Sequence, residues 1–554
     1  MTDSDSVLRV IPMGGLGEFG MNMMIYEAAG RLLVVDCGMM FPDSATLGVD
    51  VIIPDMSWLF DRADDVEAIF LTHGHEDHIG AVPFLIERVH APVYGTPLTL
   101  AFVRDKLEEF GDRGAAELRE IAPRQTIEAG PFTVEPIHVT HSIVDALAFA
   151  IRTPLGVIIH TGDFKLDPTP LSGDTTDMLR LAAYGEEGVL LLSSDSTNAV
   201  VEGYSRSERV VAESFDRIVS GAKGRVIITT FASHIDRIQI AVNTARKHRR
   251  KVFFLGRSLV ENVETAESLG WLRIPREARP SGRLIDEDPR TTLVLTTGTQ
   301  GEPNSALARI ALNAHKALQI EKGDTVVLSA RTIPGNDLAV IHMLDHLFHR
   351  GASVVYDEVP GVHVSGHGCR EELKTMINLT RPRFFVPLHG NFRHLVRHGE
   401  IAEEGGIDRS RVLVLTNGEI AEIDGERGRI REEKVETGKV FIDAQFEEVS
   451  EVVVRDRKHL AEDGFVIVVA ALDVNTAKLS REPEIITRGL VHVDESGEML
   501  DEVRGLILEI FQENAPEEMR DPEIVQEKMR AVLKRYFRKK LNRRPMILPV
   551  VWEM

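Results

Sequence analysis

The sequence predicts a layered α/β protein with more than one domain, and three observations support this prediction. The 554 residues exceed what a single hydrophobic core usually organises. Through residues 8–205, short apolar runs such as "RLLVVDCG" and "VEAIFLTH" end in glycine or polar residues, which is typical of strands. After Ser205, strand-like and helical runs alternate, as in "GRVIITTFAS" followed by "IDRIQIAVNTARKHRR", which indicates a parallel-sheet unit.

Composition indicates an ordinary globular protein and excludes several other classes. The apolar fraction is 43%, and no stretch approaches the ~18 consecutive apolar residues of a membrane helix. The N-terminal "MTDSDSVLRVIP" lacks the pattern of a secretory signal. Only two cysteines occur, Cys37 and Cys369, so we expect a reducing, cytoplasmic location. The formal charge of −22 argues against a surface coated by a polyanion, but it is compatible with a local positive groove.

The order of the predicted elements indicates an inserted domain. Polar strand ends like those of the first domain return in "HVSGHG", "RFFVPLHGN" and "RVLVLTNGE", so we expect that domain to resume there. A final unit combines strands such as "FVIVVAALD" with helices near residues 500–512 and 522–541. The predicted domains are residues 1–205 and 357–445 (one domain in two parts), 206–356 (the insertion), 446–463 (a connector) and 464–554 (the final unit).

Three further patterns have structural interpretations. "GLGEFG" fits a dinucleotide fingerprint, but the residues after it indicate two strands around an "AAGR" turn rather than a helix, so we predict a tight turn. His342, His346 and His349 share one helical face without the glutamate of H-E-x-x-H, which favours a packed or solvated helix. The basic runs 246–251 and 534–544 are compatible with RNA phosphates, with a solvated face and with a subunit contact.

The segment "FLTHGHEDHIG" carries ligand-type side chains in H-x-H-x-D-H spacing directly after a predicted strand. His73 and His75 point to the same side because strand side chains alternate, and a following turn re-aims Asp77 and His78. Imidazole and carboxylate suit Zn²⁺ or Mn²⁺. The alternative is a histidine-rich solvent loop, but four ligand types in this order favour a metal site for two adjacent ions.

Other strand ends supply the missing ligands. "IHVTHS" offers His141, "IIHTGDFK" offers Asp163 and "FVPLHGN" offers His389, each after an apolar run. A carboxylate such as Asp163 can bridge two ions. Two close ions lower the pKa of water and clamp a phosphodiester during in-line attack. The set therefore predicts metal-assisted hydrolysis.

The first 445 residues resemble the metallo-β-lactamase superfamily. The insertion and the stretches "SSDSTNA", "HVSGHG" and "PLHGN" resemble motifs A, B and C of its β-CASP branch, which cuts nucleic acids; these motifs give Asp195, His367 and His389. Histidine in motif C is typical of RNA-cleaving members. "GGLGEFGMN", "TGTQGEP" and the C-terminal unit narrow the resemblance to the ribonuclease J family. The resemblance implies an αββα sandwich with an inserted β-CASP α/β domain and a small C-terminal α/β domain.

The resemblance also implies a role for each site residue. One ion is expected on His73, His75 and His141, and the other on Asp77, His78 and His389, with Asp163 bridging. The residues expected to act in catalysis are Asp77, Asp195 and His367. His367, paired with Asp195, would protonate the leaving 3′ oxygen, for which imidazole has a suitable pKa.

The family binds substrate phosphate through the motif that is "HVSGH" here. The expected substrate-binding residues are His363, Val364, Ser365, Gly366 and His367. The chain departs from the family pattern at Gly368 and Cys369, where Ala-Ser is usual, and this departure puts one serine contact in question. A structural Ca²⁺, common in the family, is expected at Gly48, Asp50 and Asp443.

The predicted function is hydrolysis of single-stranded RNA from a 5′-monophosphate end in the 5′→3′ direction, with some internal cutting, in rRNA maturation and mRNA decay. The expected cofactors are two divalent ions, Zn²⁺ or Mn²⁺, and the expected partners are RNA, a second copy of the chain and other RNA-decay proteins. Two alternatives stay open: a DNA-directed β-CASP nuclease, and a catalytically silent RNA-binding scaffold.

Overall fold

The structure is a computed structural model that describes residues 7–42, 46–111, 116–171, 173–333, 336–356, 361–490 and 496–554. It divides into two units, Met1–Phe41 with Ile52–Val440, and Pro42–Val51 with Phe441–Met554. The predicted return to the first domain at residue 357 lies outside the described residues.

Short strands and helices alternate before the insertion. The strands are β1 (Leu8–Gly14), β2 (Leu16–Gly17), β3 (Met23–Ala28), β4 (Arg31–Val35), β5 (Val51–Pro54), β6 (Val66–Phe70), β7 (Val93–Gly95), β8 (Leu118–Glu120), β9 (Ile127–Ala129), β10 (Phe132–His138), β11 (Leu147–Thr153), β12 (Gly156–His160) and β13 (Val189–Asp195). The helices are α1 (Ser57–Phe60), α2 (Glu76–Ile79), α3 (Val82–Ile86), α4 (Pro97–Glu109) and α5 (Met178–Glu187).

The insertion is a parallel sheet flanked by helices, as its alternating pattern predicts. Its strands are β14 (Val226–Thr229), β15 (Lys251–Leu255), β16 (Thr292–Thr296), β17 (Thr325–Leu328) and β18 (Ser353–Val355), in the order β15-β16-β14-β17-β18. Its helices are α6 (Arg209–Gly221), α7 (Ile235–Lys247), α8 (Arg257–Ser268), α9 (Ala306–Ala311) and α10 (Asp337–His349). His342, His346 and His349 are exposed on α10.

After the insertion the chain returns to the first domain. This part contains α11 (Arg370–Thr380), β19 (Phe384–Leu388), β20 (Gly390–Asn391), α12 (Phe392–Glu404), β21 (Glu419–Ile423), β22 (Gly428–Lys434) and β23 (Lys439–Ile442). β19 pairs with β13, and β21 pairs with β1. The chain therefore completes both sheets of the first domain only after the insertion.

Two sheets face each other in this domain. One has the order β22-β21-β1-β3-β4-β6-β7-β8 and the other β19-β13-β12-β11-β10-β9. Strands of both sheets contribute to one buried apolar cluster, including Val10, Leu33, Phe149 and Phe384. Helices α5, α11 and α12 pack on the outside of the second sheet. β13 is buried along its whole length because it is covered on both faces, which explains its continuous apolar run.

The C-terminal unit has its own core. It contains β24 (Glu448–Val449), α13 (Glu451–Asp463), β25 (Phe465–Asp473), β26 (Lys478–Leu479), β27 (Glu484–Arg488), α14 (Ser496–Glu513), α15 (Pro522–Leu541) and β28 (Met546–Glu553). Both helices predicted from the periodicity are present, and part of the predicted connector forms α13. Val468, Val503, Met529 and Phe537 belong to one buried cluster. Among the described residues, no helix has the length and apolar content needed to cross a membrane.

Candidate active site and metal centre

The predicted ligands lie at one edge of the two sheets because the strands that carry them are parallel. β12, β13 and β19 are neighbouring parallel strands. Asp163 follows the first, Asp195 ends the second and His389 follows the third. In the facing sheet, β6 runs parallel to β4 and leads into the segment that contains His73. Carboxyl ends of parallel strands meet at one edge, so distant residues converge there.

Four side chains form the first candidate metal-binding group: His73, His75, His141 and Asp163, whose ligand atoms all lie within 4.8 Å of one another. His75 Nδ1 is 3.0 Å from His73 Nε2 and 3.3 Å from His141 Nε2. Asp163 Oδ2 is 3.9 Å from His73 Nε2 and 3.7 Å from His141 Nε2. Such convergent nitrogens and a carboxylate suit a divalent cation.

The second group contains Asp77, His78, Asp163 and His389. His78 Nε2 is 3.3 Å from the same Asp163 Oδ2 and 3.7 Å from Asp77 Oδ2. His389 Nε2 is 3.5 Å from Asp77 Oδ2. The structure thus brings together all seven predicted ligands, and one oxygen of Asp163 is common to both groups.

The electrostatics of the two groups fit bound cations. Burial, reinforced by neighbouring imidazoles, lowers the pKa of His73 and His141 well below the usual value, so both are neutral and offer a lone pair. Burial also lowers the pKa of His75, to about 4. At His78, burial lowers the pKa, but Asp163 and Asp36 outweigh it and raise the pKa well above the usual value. The carboxylates therefore favour positive charge here, as a divalent ion would supply.

Asp36 and Asn22 support the second group, and neither was predicted. Asp36 Oδ2 lies 2.7 Å from His78 Nδ1, and its carboxylate accepts bonds from the Thr72 amide (2.7 Å) and hydroxyl (2.8 Å). Asn22 Nδ2 lies 3.1 Å from His78 Nε2 and donates to Asp77 Oδ2 at 3.3 Å. A carboxylate on the outer imidazole nitrogen orients a ligating histidine. Asp36 follows a strand, so the pattern that identified Asp163 also applies to it.

The "GLGEFG" segment forms the predicted turn between strands and borders this site. Gly15, Gly17 and Gly20 have positive φ angles of 86°, 84° and 100°, which glycine adopts without strain. A Cβ at Gly15 would lie 2.3 Å from Asn22 Oδ1. Glycine at this position therefore leaves room for the amide that contacts His78.

His367 and Asp195 form the predicted pair beside the metal groups. His367 Nδ1 lies 2.8 Å from Asp195 Oδ2, and the Thr197 amide and hydroxyl hold the other carboxylate oxygen at 2.9 and 2.7 Å. Burial lowers the pKa of His367, but Asp195 and Asp163 outweigh it and raise the pKa to about 9. The Asp195 carboxylate therefore keeps a proton on His367 Nδ1.

The 363–367 loop lies next to this pair. Ser365 Oγ accepts bonds from Asn198 Nδ2 at 2.8 Å and from the His367 amide at 3.2 Å, which leaves its hydroxyl hydrogen for another acceptor. Gly366 has its carbonyl 2.8 Å from His141 Nδ1, so the loop is joined directly to a predicted metal ligand. Asn198 was not predicted, although it lies within the motif A stretch.

Glu372 anchors the segment after this loop. Its buried carboxylate accepts bonds from the Leu166 amide (2.8 Å), the Ser205 amide (2.6 Å) and hydroxyl (2.8 Å), and the Cys369 amide (2.8 Å). We expect Glu372→Ala to lower the free energy of unfolding by about 3 kcal/mol, because several buried donors lose a charged acceptor. Urea unfolding checks this value.

The neighbouring glutamate is the matched control for that substitution. Glu371 lies on the same helix but pairs only with the partly exposed Lys374, among the ion pairs of the described residues. Because exposed ion pairs contribute little, Glu371→Ala should cost less than about 1 kcal/mol. Equal losses for the two variants would contradict the anchoring role of Glu372.

The predicted calcium site fits the observed contacts poorly. The Gly48 carbonyl accepts a bond from Arg457 Nη1 at 2.9 Å, and a guanidinium on that oxygen opposes a cation there. Asp443 Oδ1 accepts bonds from the Gln445 and Glu447 amides at 2.9 and 3.1 Å. Asp50 is exposed. The calcium site therefore stays a prediction from family resemblance.

Comparison with known proteins identifies the domains. Residues 16–198 match the metallo-beta-lactamase superfamily, and 355–414 match the Zn-dependent metallo-hydrolase RNA specificity domain. Residues 223–347 match the Ribonuclease J beta-CASP domain, and 452–554 match the Ribonuclease J C-terminal domain. These matches confirm the predicted fold class.

Proteins with similar sequences extend along nearly the whole chain. Ribonuclease J2 of Bacillus subtilis is 40% identical over 549 residues, 99% of each chain. Ribonuclease J of Thermus thermophilus is 40% identical over 99% of this chain and 95% of its own. A solved structure described as a protein of unknown function from Enterococcus faecalis matches with a TM-score of 0.53 at 16% identity, over 75% of this chain and all of that chain, which supports the fold alone. With its two-group site and these domain matches, the chain belongs to the ribonuclease J family.

Proposed function

We propose that this chain is a metal-dependent hydrolase that cleaves RNA phosphodiester bonds. The observation that supports this most strongly is the shared carboxylate: Asp163 belongs to both groups of predicted ligands, and it also belongs to a third group with His389 and the His367–Asp195 pair. Relatives of similar length are named ribonuclease J, and the family match over residues 355–414 is described as an RNA specificity domain. Site and family therefore support the same reaction class.

The finer proposal concerns the end of RNA that the enzyme recognises. We propose degradation of single-stranded RNA in the 5′→3′ direction, with preference for a 5′-monophosphate and release of nucleoside 5′-monophosphates. Internal cleavage at some sites, and roles in rRNA maturation and mRNA decay, belong to the same proposal. Donors from the 363–367 loop, among them Ser365 Oγ and the His367 ring, support a phosphate pocket close to the metal groups. A homodimer and a cytoplasmic location complete the proposal.

The chain's own groups have separate tasks in the proposed reaction. His73, His75, Asp77, His78, His141, Asp163 and His389 would hold two divalent ions, Zn²⁺ or Mn²⁺. When bound, such ions lower the pKa of water and offset phosphate charge. Asp195 holds the His367 ring in one orientation, with the proton on Nδ1. His367 Nε2 then donates a proton to the leaving 3′ oxygen, so that the oxygen does not depart as an alkoxide.

Digestion of one RNA with different 5′ ends tests the proposal. The RNA carries a 5′-monophosphate, a 5′-triphosphate or a 5′-hydroxyl, and a DNA of the same sequence is included. With Mn²⁺ or Zn²⁺, we expect the 5′-monophosphate RNA to be degraded at least about tenfold faster, because the charged phosphate gains charge-assisted bonds in its pocket. Sized products should be mononucleotides, and chelation by EDTA should stop the reaction.

The same experiment separates the alternatives. Faster cleavage of DNA than RNA would favour a DNA-directed nuclease. Absence of any cleavage, together with less than one ion per chain after supply of Zn²⁺ or Mn²⁺, would favour an RNA-binding scaffold. The convergence of all seven ligands opposes the scaffold, because a silent site has no need of a complete ligand set.

A further inference from the structure

Arg237, on helix α7 of the insertion, is fully buried and uses every N–H it has. Nε and Nη2 donate to the two carboxylate oxygens of Glu208 at 3.3 and 2.6 Å. Nη1 donates to the Ser329 carbonyl at 2.8 Å and to His363 Nδ1 at 2.9 Å. Nη2 also donates to the Val364 carbonyl at 3.2 Å. A guanidinium has five donors in a fixed fork, so these five bonds exhaust them.

The insertion therefore holds the first half of the 363–367 loop. Arg237 binds the His363 ring and the Val364 carbonyl, and Ser329 Oγ donates to the Val362 carbonyl at 2.6 Å. Ser329 directly follows strand β17. Two buried side chains of the insertion thus determine where this part of the loop runs.

The metal domain holds the second half of the loop. Asn198 binds Ser365 Oγ at 2.8 Å, His141 lies 2.8 Å from the Gly366 carbonyl, and Asp195 pairs with His367. The change from one domain's contacts to the other's falls between residues 364 and 365. The loop therefore depends on both domains for its position.

Arg237 binds the carbonyl of the peptide between Val364 and Ser365, where the contacts of the loop change from one domain to the other. The Val364 carbonyl and the Ser365 amide belong to the same planar trans peptide, so the amide N–H points away from Arg237. A cationic donor on the carbonyl also polarises the peptide and strengthens its N–H as a donor. Arg237 therefore holds the carbonyl of the peptide that carries the Ser365 amide.

The charges around Arg237 indicate that it orients the loop and does not itself attract the substrate phosphate. Burial raises the pKa of Glu208, but Arg237 and His234 outweigh it and hold the pKa well below the usual value. Glu208 is therefore ionised and neutralises the guanidinium. The guanidinium is also saturated with bonds, so it has no donor left for a substrate phosphate.

We infer that Arg237 is a positioning residue for recognition of the RNA 5′ end: from the insertion, it fixes the 364–365 peptide so that the loop can bind a terminal phosphate. This inference rests on the proposed 5′-monophosphate preference. It concerns how the pocket is built, and the metal groups are expected to work without it.

Arg237→Lys keeps the charge but has a single donor centre, which cannot reproduce a five-bond fork. We expect kcat/KM for 5′-monophosphate RNA to fall about 10- to 100-fold, mainly through KM. The reason is that the hydrogen-bond donors of the loop would be displaced by a fraction of an ångström from the terminal phosphate. The value for 5′-hydroxyl RNA should change less than about threefold, since that RNA does not use the pocket. Ser329→Ala loses only the bond to Val362. It should lower the ratio of kcat/KM for 5′-monophosphate RNA to that for 5′-hydroxyl RNA, but by a smaller factor than Arg237→Lys.

The control is Arg217→Lys, on the exposed face of α6 in the same insertion, which should keep the wild-type values. Wild-type kcat/KM values on both RNAs in Arg237→Lys would overturn the inference. An equal loss on both RNAs would also overturn it, because it would indicate a structural role alone. If Arg237→Lys does not fold, an unchanged ratio in Ser329→Ala overturns it. A wild-type protein without any 5′-monophosphate preference would instead refute the proposed specificity, and the inference with it.

Discussion

Asp163→Asn is expected to lower kcat/KM for RNA by at least about a thousandfold, because ions bound at this kind of site supply several kcal/mol of transition-state stabilisation. Asp163 is 3% exposed, and its Oδ2 lies within 3.9 Å of ring nitrogens from both groups. An amide has the same shape but no charge, and one of its two ends is a donor that repels a cation. The substitution therefore weakens both ion sites at once.

Metal content and activity should fall together in this variant. We expect wild-type protein to retain two ions per chain after gel filtration and Asp163→Asn to retain one or fewer, measured by inductively coupled plasma mass spectrometry. Asp174→Asn, in the exposed segment that follows, is the matched control and should keep both ions and full activity. An Asp163→Asn protein with two ions and more than a tenth of wild-type turnover would refute the bridging role.

His367→Ala should lower kcat/KM by about 10² to 10⁴, the usual contribution of a general acid. The reason is specific to the leaving group, which needs a proton. In RNA that carries sulfur in place of the 3′ oxygen at the scissile bond, the leaving group departs as a thiolate and needs no proton. This substrate should therefore restore most of the rate lost in His367→Ala. A surface histidine on α10, changed in His349→Ala, should leave both rates unchanged.

The pH profile of Asp195→Asn tests the same pair in another way. The acid form of His367 is the protonated one, so activity is lost as the pH rises through its pKa. Burial lowers that pKa, and Asp195 contributes most to raising it, to about 9. Removal of the Asp195 charge should therefore move the alkaline limb of kcat/KM to lower pH, whereas His367→Ala should remove that limb. An alkaline limb that stays in place in Asp195→Asn would contradict the assignment.

Much of the architecture could be predicted because secondary structure depends on local patterns. The helices of the C-terminal unit follow from 3.6-residue periodicity, and α15 begins at a proline that Asp521 caps and ends before Asn542 with a left-handed φ of 52°. The parallel sheet of the insertion follows from alternating strands and helices. The turn at residues 15–20 follows from its glycines and from strand-like residues after them.

Residues that act through space on the site could not be predicted equally well. Asp36 contacts His78 only because β4 lies next to β6. Sequence patterns do not show which strands are neighbours in a sheet. Arg237 looks like an ordinary helix residue, and its role depends on packing of the insertion against the 363–367 loop. At the expected calcium site, the contact of Arg457 with the Gly48 carbonyl joins residues far apart in the chain, which no local pattern indicates.

The sequence by itself determined the types of ligand, their places at strand ends and the order of the domains, because side-chain chemistry and periodicity are local properties. Only the tertiary structure decided that these ligands converge on Asp163, that His367 meets Asp195, and that the insertion holds the loop beside them. Those contacts join residues far apart in the chain, and they depend on which strands pair when the apolar faces are buried.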